Sequence, residues 1–124
     1  MTREYIEDKY CGLEIGDGWL PIVTPLFEYI EKYNADKKDI ENFTKEDAEK
    51  GLSPKIEVHQ CKEKFGELRF YTSGADSTLY SLIEQAENKS LETCELCGKP
   101  GKIRSKHHWL ATLCDNCAKD LNYD

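Results

Sequence analysis

The chain has 124 residues, 17 Lys and Arg against 24 Asp and Glu, a net charge of −7 and six cysteines. That length suffices for one compact domain with a small satellite. No apolar run approaches the roughly 18 residues of a membrane span, and Met1–Tyr10 carries acids without an apolar stretch, so no signal peptide is expected and the expected compartment is the cytoplasm. The charge is uneven: residues 1–93 hold 12 basic and 20 acidic side chains, and residues 94–124 hold 5 and 4. The acidic part repels polyanions, which argues against non-specific nucleic-acid binding there.

In chain order, Arg3–Tyr10 suits a short helix or a strand. Gly12, Gly16 and Gly18 read as turns, with Asp17 placed to cap the next helix. Trp19, Ile22, Val23, Leu26, Ile30 and Tyr33 fall at helical spacing. Pro21 suits a first helical turn; Pro25 implies a bend or a start at Thr24. Residues 34–53 are polar and acidic, a connecting segment in which Thr44 and Asp47 form a capping pair and Gly51 ends a short helix. Ile56 to Cys61 alternates as a strand. Leu68, Phe70 and Thr72 alternate with Arg69 and Tyr71 as a second, and Gly66 marks the turn of a hairpin. A helix capped by Asp76 or Ser77 presents Leu79, Leu82, Ile83 and Ala86, and ends near residues 88–90.

The most specific motif closes the chain. Cys94/Cys97 and Cys114/Cys117 are two C-x2-C pairs separated by sixteen residues, the spacing of a structural zinc site. Two residues between cysteines let one tight turn aim both sulfurs at a point, and four thiolates fill a tetrahedral Zn²⁺. Gly98 suits the positive φ of a chain leaving the metal. The insert reads as a hairpin, Lys102–Arg104 out and Trp109–Leu113 back, turning at Ser105–His107. The competing reading is a pair of disulfides, which the expected reducing compartment disfavours. The expected fold is therefore α+β: a helix–β-hairpin–helix body over residues 1–93 and a four-cysteine zinc ribbon over residues 94–124, packed on the body.

Gly16-Asp17-Gly18-Trp19, the run Lys62-Glu63-Lys64-Phe65-Gly66-Glu67-Leu68-Arg69-Phe70-Tyr71, the run from Cys94 to Gly101, and Trp109 with Thr112-Leu113-Cys114 together resemble a group of small bacterial and phage proteins of uncharacterised function. The resemblance spans most of the chain. It implies a phage or mobile-element origin, and small phage proteins commonly act by binding something the host uses. Cys-x2-Cys-Gly, His107-His108 and Leu113-Cys114-x2-Cys117 also resemble HNH-type nucleases, but only five residues separate His108 from Cys114, too few for the loop and metal-binding helix of such enzymes.

Four surfaces are candidates for recognition. Lys62, Lys64, Arg69 and Tyr71 combine cations with rings, as a small phosphorylated ligand such as a nucleotide requires; Trp19 is a stacking candidate or a core residue. Lys102, Arg104 and Lys106 on the ribbon suit phosphate contacts in a nucleic-acid-binding alternative. His59 and Cys61, two apart on one strand face, could make a second metal site with Cys11. The acidic surface suits a host protein, including a defence protein, and an unpaired hairpin edge offers a route to a homodimer. A closed four-sulfur site activates no water, and no nucleophile–base, Walker or Rossmann motif is present, so the expectation is a non-enzymatic binding protein.

Overall fold

The computed structural model describes residues 1–10 and 12–123; Cys11 lies outside them. The order is α1 (Arg3–Lys9), β1 (Leu13–Glu14), a 3-10 turn (Asp17–Trp19), α2 (Leu20–Asn34), a second 3-10 turn (Ile40–Asn42), α3 (Lys45–Glu49), β2 (Glu57–Lys64), β3 (Glu67–Ser73), α4 (Ser77–Ser90), β4 (Lys102–Lys106), β5 (Trp109–Leu113) and α5 (Asp115–Asp120). The fold is α+β, with a three-stranded sheet ordered β1-β2-β3 and a separate two-stranded sheet, β4-β5. The ribbon thus docks on the body and does not extend its sheet.

The body's core lies where α2 and α4 cover the inner face of β2 and β3. Trp19, Val23, Leu26, Phe27, Ile30, Leu68 and Leu79 are buried there. The helical stripe places Phe27 in this core too, against Tyr10 on one side and edge-on to Phe70 on the other. α2 runs unbroken through Pro25. The hydrogen bond that Pro25 withholds would have gone to Pro21, and both prolines lie on the helix's exposed face, where water can solvate a free carbonyl. Asp17 is not the cap. Trp19 holds that position in α2 without a side-chain bond, and Asp17, the first residue of the preceding 3-10 turn, instead pairs with Arg3 at 2.8 Å.

The acidic connection is ordered. Thr44 and Asp47 form a reciprocal capping box, and Lys38 pairs with Asp47 at 2.7 Å. Asn34, at the end of α2, donates to the carbonyl of Ile56 at 2.9 Å and accepts from its N–H at 2.7 Å, continuing the strand's hydrogen bonding with a side chain. Asp76 caps α4 through Leu79 N–H and takes the Tyr29 hydroxyl at 2.5 Å, joining α4 to α2.

β2 and β3 pair antiparallel with a bulge between Val58 and Gln60. The extra residue resets the alternation, so Val58 and Cys61, three apart, both face the core. His59 is exposed and bonds Ser73 Oγ at 2.8 Å. His59 and Cys61 therefore do not share a face, and the second metal site loses its geometry. β1 adds to β2 in parallel, Leu13 opposite Cys61, a strand too short for its sequence to announce.

Hydrogen bonds hold the junction of ribbon and body. Gly18 N–H donates to Glu95 C=O at 2.7 Å, the Trp19 indole N–H donates to Thr93 C=O at 2.8 Å, and Thr112 Oγ1 donates to Gly66 C=O at 2.6 Å. Gly18 permits the closest approach: a Cβ there would overlap the Cys94 carbonyl and come within 2.5 Å of Gly98 N. Gly18→Ala is expected to destabilise the protein by about 1–3 kcal/mol and to loosen the ribbon first, measured by urea denaturation and by faster amide exchange in residues 94–121 with that of α2 unchanged.

Candidate metal centre and hairpin-tip surface

The first cysteine pair sits on a knuckle. Cys94 C=O accepts from Gly98 N–H at 2.9 Å, and Cys94 N–H donates to Lys99 C=O at 2.8 Å; Gly98 has the expected positive φ of 80°. The second pair departs from expectation. Cys114 is the N-cap of α5 and Cys117 lies in its first turn, with Cys117 N–H pointing to Cys114 Sγ at 3.4 Å. A helix start does here what a second tight turn was expected to do, because three residues of helix bring i and i+3 to one face.

The four sulfurs lie within 4.8 Å of one another, and among the described residues they form the only group of His, Cys, Asp or Glu close enough to hold a metal ion. Their protonation shows why an ion belongs there. Burial raises the Cys94 thiol, but the N–H groups of Cys114, Cys97 and Leu96 outweigh it and bring its pKa down to about 6. Cys114 is also lowered, chiefly by the Cys117 N–H. Cys97 is held up: the Lys99 N–H lowers it, but burial and the sulfurs of Cys114 and Cys94 prevail. Cys117 is pushed up to about 12, first by its contact with Cys114. Four thiolates cannot share this volume without a compensating cation, and a divalent ion supplies it.

Glu95, inside the knuckle, carries a role that the sequence did not announce. Its carbonyl accepts from Gly18, its Oε2 accepts from Gly16 N–H at 2.9 Å, and its N–H donates to Thr112 C=O at 3.0 Å. It ties body, knuckle and β5 together. A carboxylate between two cysteines reads as surface, and nothing local to it signals this role.

The proposed ligand residues separate. Trp19 is 0% exposed, so neither ring face is open to a ligand; it is a core residue that pins Thr93. Lys62, Arg69 and Tyr71 do share the outer face of the β2–β3 hairpin. Arg69, however, is bound to Glu67 at 2.7 Å, and none of the three lines the three principal cavities. On the ribbon, Arg104 is committed to Leu113 C=O and Asp115, and Lys106 donates to Leu121 C=O at 2.9 Å. Lys102 alone of that basic trio is exposed, and its side chain makes no hydrogen bond or ion pair among the described residues.

The fold does assemble a surface from two hairpin tips. The β2–β3 loop is Phe65-Gly66, with φ of 55° and 81°; the β4–β5 loop is His107-His108, two residues beyond the expected start, with φ of 48° and 73°. Two-residue loops with both φ positive are type I′ turns, which favour Asn and Gly. Phe65 and Trp109 are 66% and 74% exposed, the two most exposed large apolar side chains described. With Lys64, Leu110 and the two histidines they line a groove of about 540 Å³. Lys64 Nζ lies 5.7 Å from the Phe65 ring centre. Neither histidine belongs to a group of three or more metal-ligating side chains among the described residues.

No protein-family profile, curated protein or solved structure matches the chain. Among the described residues no helix is long and apolar enough to cross a membrane.

Binding a divalent ion requires all four cysteines as thiolates. At neutral pH at least Cys97 and Cys117, whose pKa values are raised, must lose protons on binding. Affinity is therefore expected to fall as pH falls, by at least about 100-fold per pH unit around neutrality. Competition against a chromophoric chelator across that range checks it; a dissociation constant indifferent to pH would contradict the assignment.

Proposed function

We propose that this chain is a non-enzymatic binding protein whose four cysteines hold a structural zinc ion and whose paired hairpin tips contact a protein partner. Zinc is the ion because four thiolates in a closed set are its donor set in structural sites. The ion supplies folding free energy and leaves no coordination position for substrate.

The observation that carries the reading is the choice of residues in the two turns. A bulky residue at positive φ is strained by about 1–2 kcal/mol. Phe65 accepts that strain with most of its ring in water, so no burial in this chain compensates for it. Strain of this kind concentrates at functional positions. Rigid, exposed Trp and Phe are also the anchors that dominate protein interfaces. The resemblance to phage proteins makes the partner a host protein, with blockade of a defence component as the mode of action. The nucleotide-sequestering version has less support, since Lys62, Arg69 and Tyr71 line none of the three principal cavities. The nucleic-acid alternative has less again, since Arg104 and Lys106 are committed within the ribbon.

The test separates stability from binding. Phe65→Asn, and the double change His107→Asn with His108→Gly, put favoured residues into both turns and are expected to raise stability by up to about 1 kcal/mol each. Affinity purification from the native host is expected to recover one stoichiometric protein with the unaltered chain and to lose it with Phe65→Asn. Retention of that protein by both variants, or a fall in melting temperature with Phe65→Asn, would sink the reading.

A further inference from the structure

We propose that Cys97 is an oxidation site for hydrogen peroxide, that Cys114 resolves it, and that the disulfide between them takes the place of the metal ion. This rests on the reading of the four cysteines as a zinc site and adds a reversible covalent state to it.

With a divalent ion bound, all four sulfurs are thiolates, so access decides which of them an oxidant reaches first. Cys94 and Cys114 are buried, at 0% and 6% exposure. Cys117 is half-buried, and Cys97 alone of the four is exposed. It lies in a run, residues 96–100, in which every residue is exposed. The fold also supplies the second sulfur. All four sulfurs lie within 4.8 Å of one another, so packing permits any pairing. Cys114 Sγ is in contact with Cys97 Sγ at 3.5 Å, and that contact selects the bond across the two arms over a bond within one C-x2-C pair.

The Cys97 thiolate attacks one peroxide oxygen: an S–O bond forms, the O–O bond breaks and hydroxide leaves. The Cys114 thiolate then attacks the sulfenic sulfur: the S–S bond forms, the S–O bond breaks and a second hydroxide leaves. Two electrons have passed from sulfur to peroxide. Only Cys94 and Cys117 remain as thiolates. Two ligands do not complete a four-coordinate site, and the ion is released.

The new bond joins the same two arms that the ion joined, the first knuckle and the start of α5. The hydrogen bonds at the junction with the body use no cysteine side chain: Gly18 to Glu95, Trp19 to Thr93 and Thr112 to Gly66. The oxidised chain is therefore metal-free and still folded, with both hairpin tips in place, whereas chelation of the reduced chain leaves the arms unjoined.

The test uses the zinc-loaded chain, hydrogen peroxide and a chromophoric chelator. One zinc ion is expected to be released for each disulfide formed. Dimedone present during oxidation is expected to label Cys97, and peptide mapping after alkylation is expected to find Cys97 joined to Cys114. Amide exchange in residues 102–113 is expected to match that of the loaded chain and to be slower than in the reduced, chelated chain. Dithiothreitol with added zinc is expected to restore the loaded form. A first disulfide within either C-x2-C pair, dimedone on another cysteine, zinc retained after the disulfide has formed, or amide exchange as fast as in the chelated chain would overturn the proposal. Zinc uptake by the reduced chain with a different first disulfide ends this proposal and leaves the zinc reading standing; a reduced chain that takes up no zinc ends both.

Discussion

The hydrogen bond from Gly18 N–H to Glu95 C=O joins two backbones that no side chain could bring so close. Around it the rest of the ribbon is arranged. Residues from Cys94 onward bury few apolar side chains, chiefly Leu113 and Ala118 beside the cysteines themselves. Such a segment cannot compensate its own conformational entropy. It is held instead by four sulfurs drawn to one point and by backbone docking on the body. The Gly16–Trp19 run acts as a cradle: its N–H groups bind both the carbonyl and the carboxylate of Glu95, and its indole fixes Thr93. The cysteine cluster and the cradle meet on the same knuckle.

A second consequence appears at the hairpin tips. The body hairpin and the ribbon hairpin meet where Thr112 reaches the Gly66 carbonyl. That bond leaves both loops side by side and pointing outward. Each loop is a two-residue type I′ turn, a stiff connection whose twist matches its strands. Stiff turns carrying exposed aromatics lose little further entropy when a partner binds, which is how preorganisation raises affinity. In the proposed reading, zinc and binding are linked physically: an ion held by the four cysteines would fix the geometry of a surface it does not touch.

The parts of the chain that were legible had local causes. Sulfur spacing picked out the four cysteines that cluster, because chelation by a C-x2-C pair is a property of a few consecutive residues. Period-two alternation located β2 and β3, and period 3.6 located α2 and α4, because side-chain direction is set directly by backbone geometry. Thr44-x2-Asp47 and Asp76 announced their helices through bonds made within four residues. Where a local rule was overridden, the cause lay elsewhere in the chain. The bulge at His59 broke the alternation and separated that residue from Cys61. Pro25 was absorbed because its face of α2 happens to look outward.

By itself the sequence determined an α+β chain, its principal helices and hairpin, and a set of four cysteines able to hold one metal ion. Only the tertiary structure decided that the Gly16–Trp19 run is a docking cradle, that Trp19 is core, that Glu95 is a junction, and that Phe65 and Trp109 meet across two hairpin tips. The reason is separation along the chain. Gly18 and Glu95, or Gly66 and Thr112, become neighbours only after both elements have folded and packed, and no pattern within either segment encodes the distance between them.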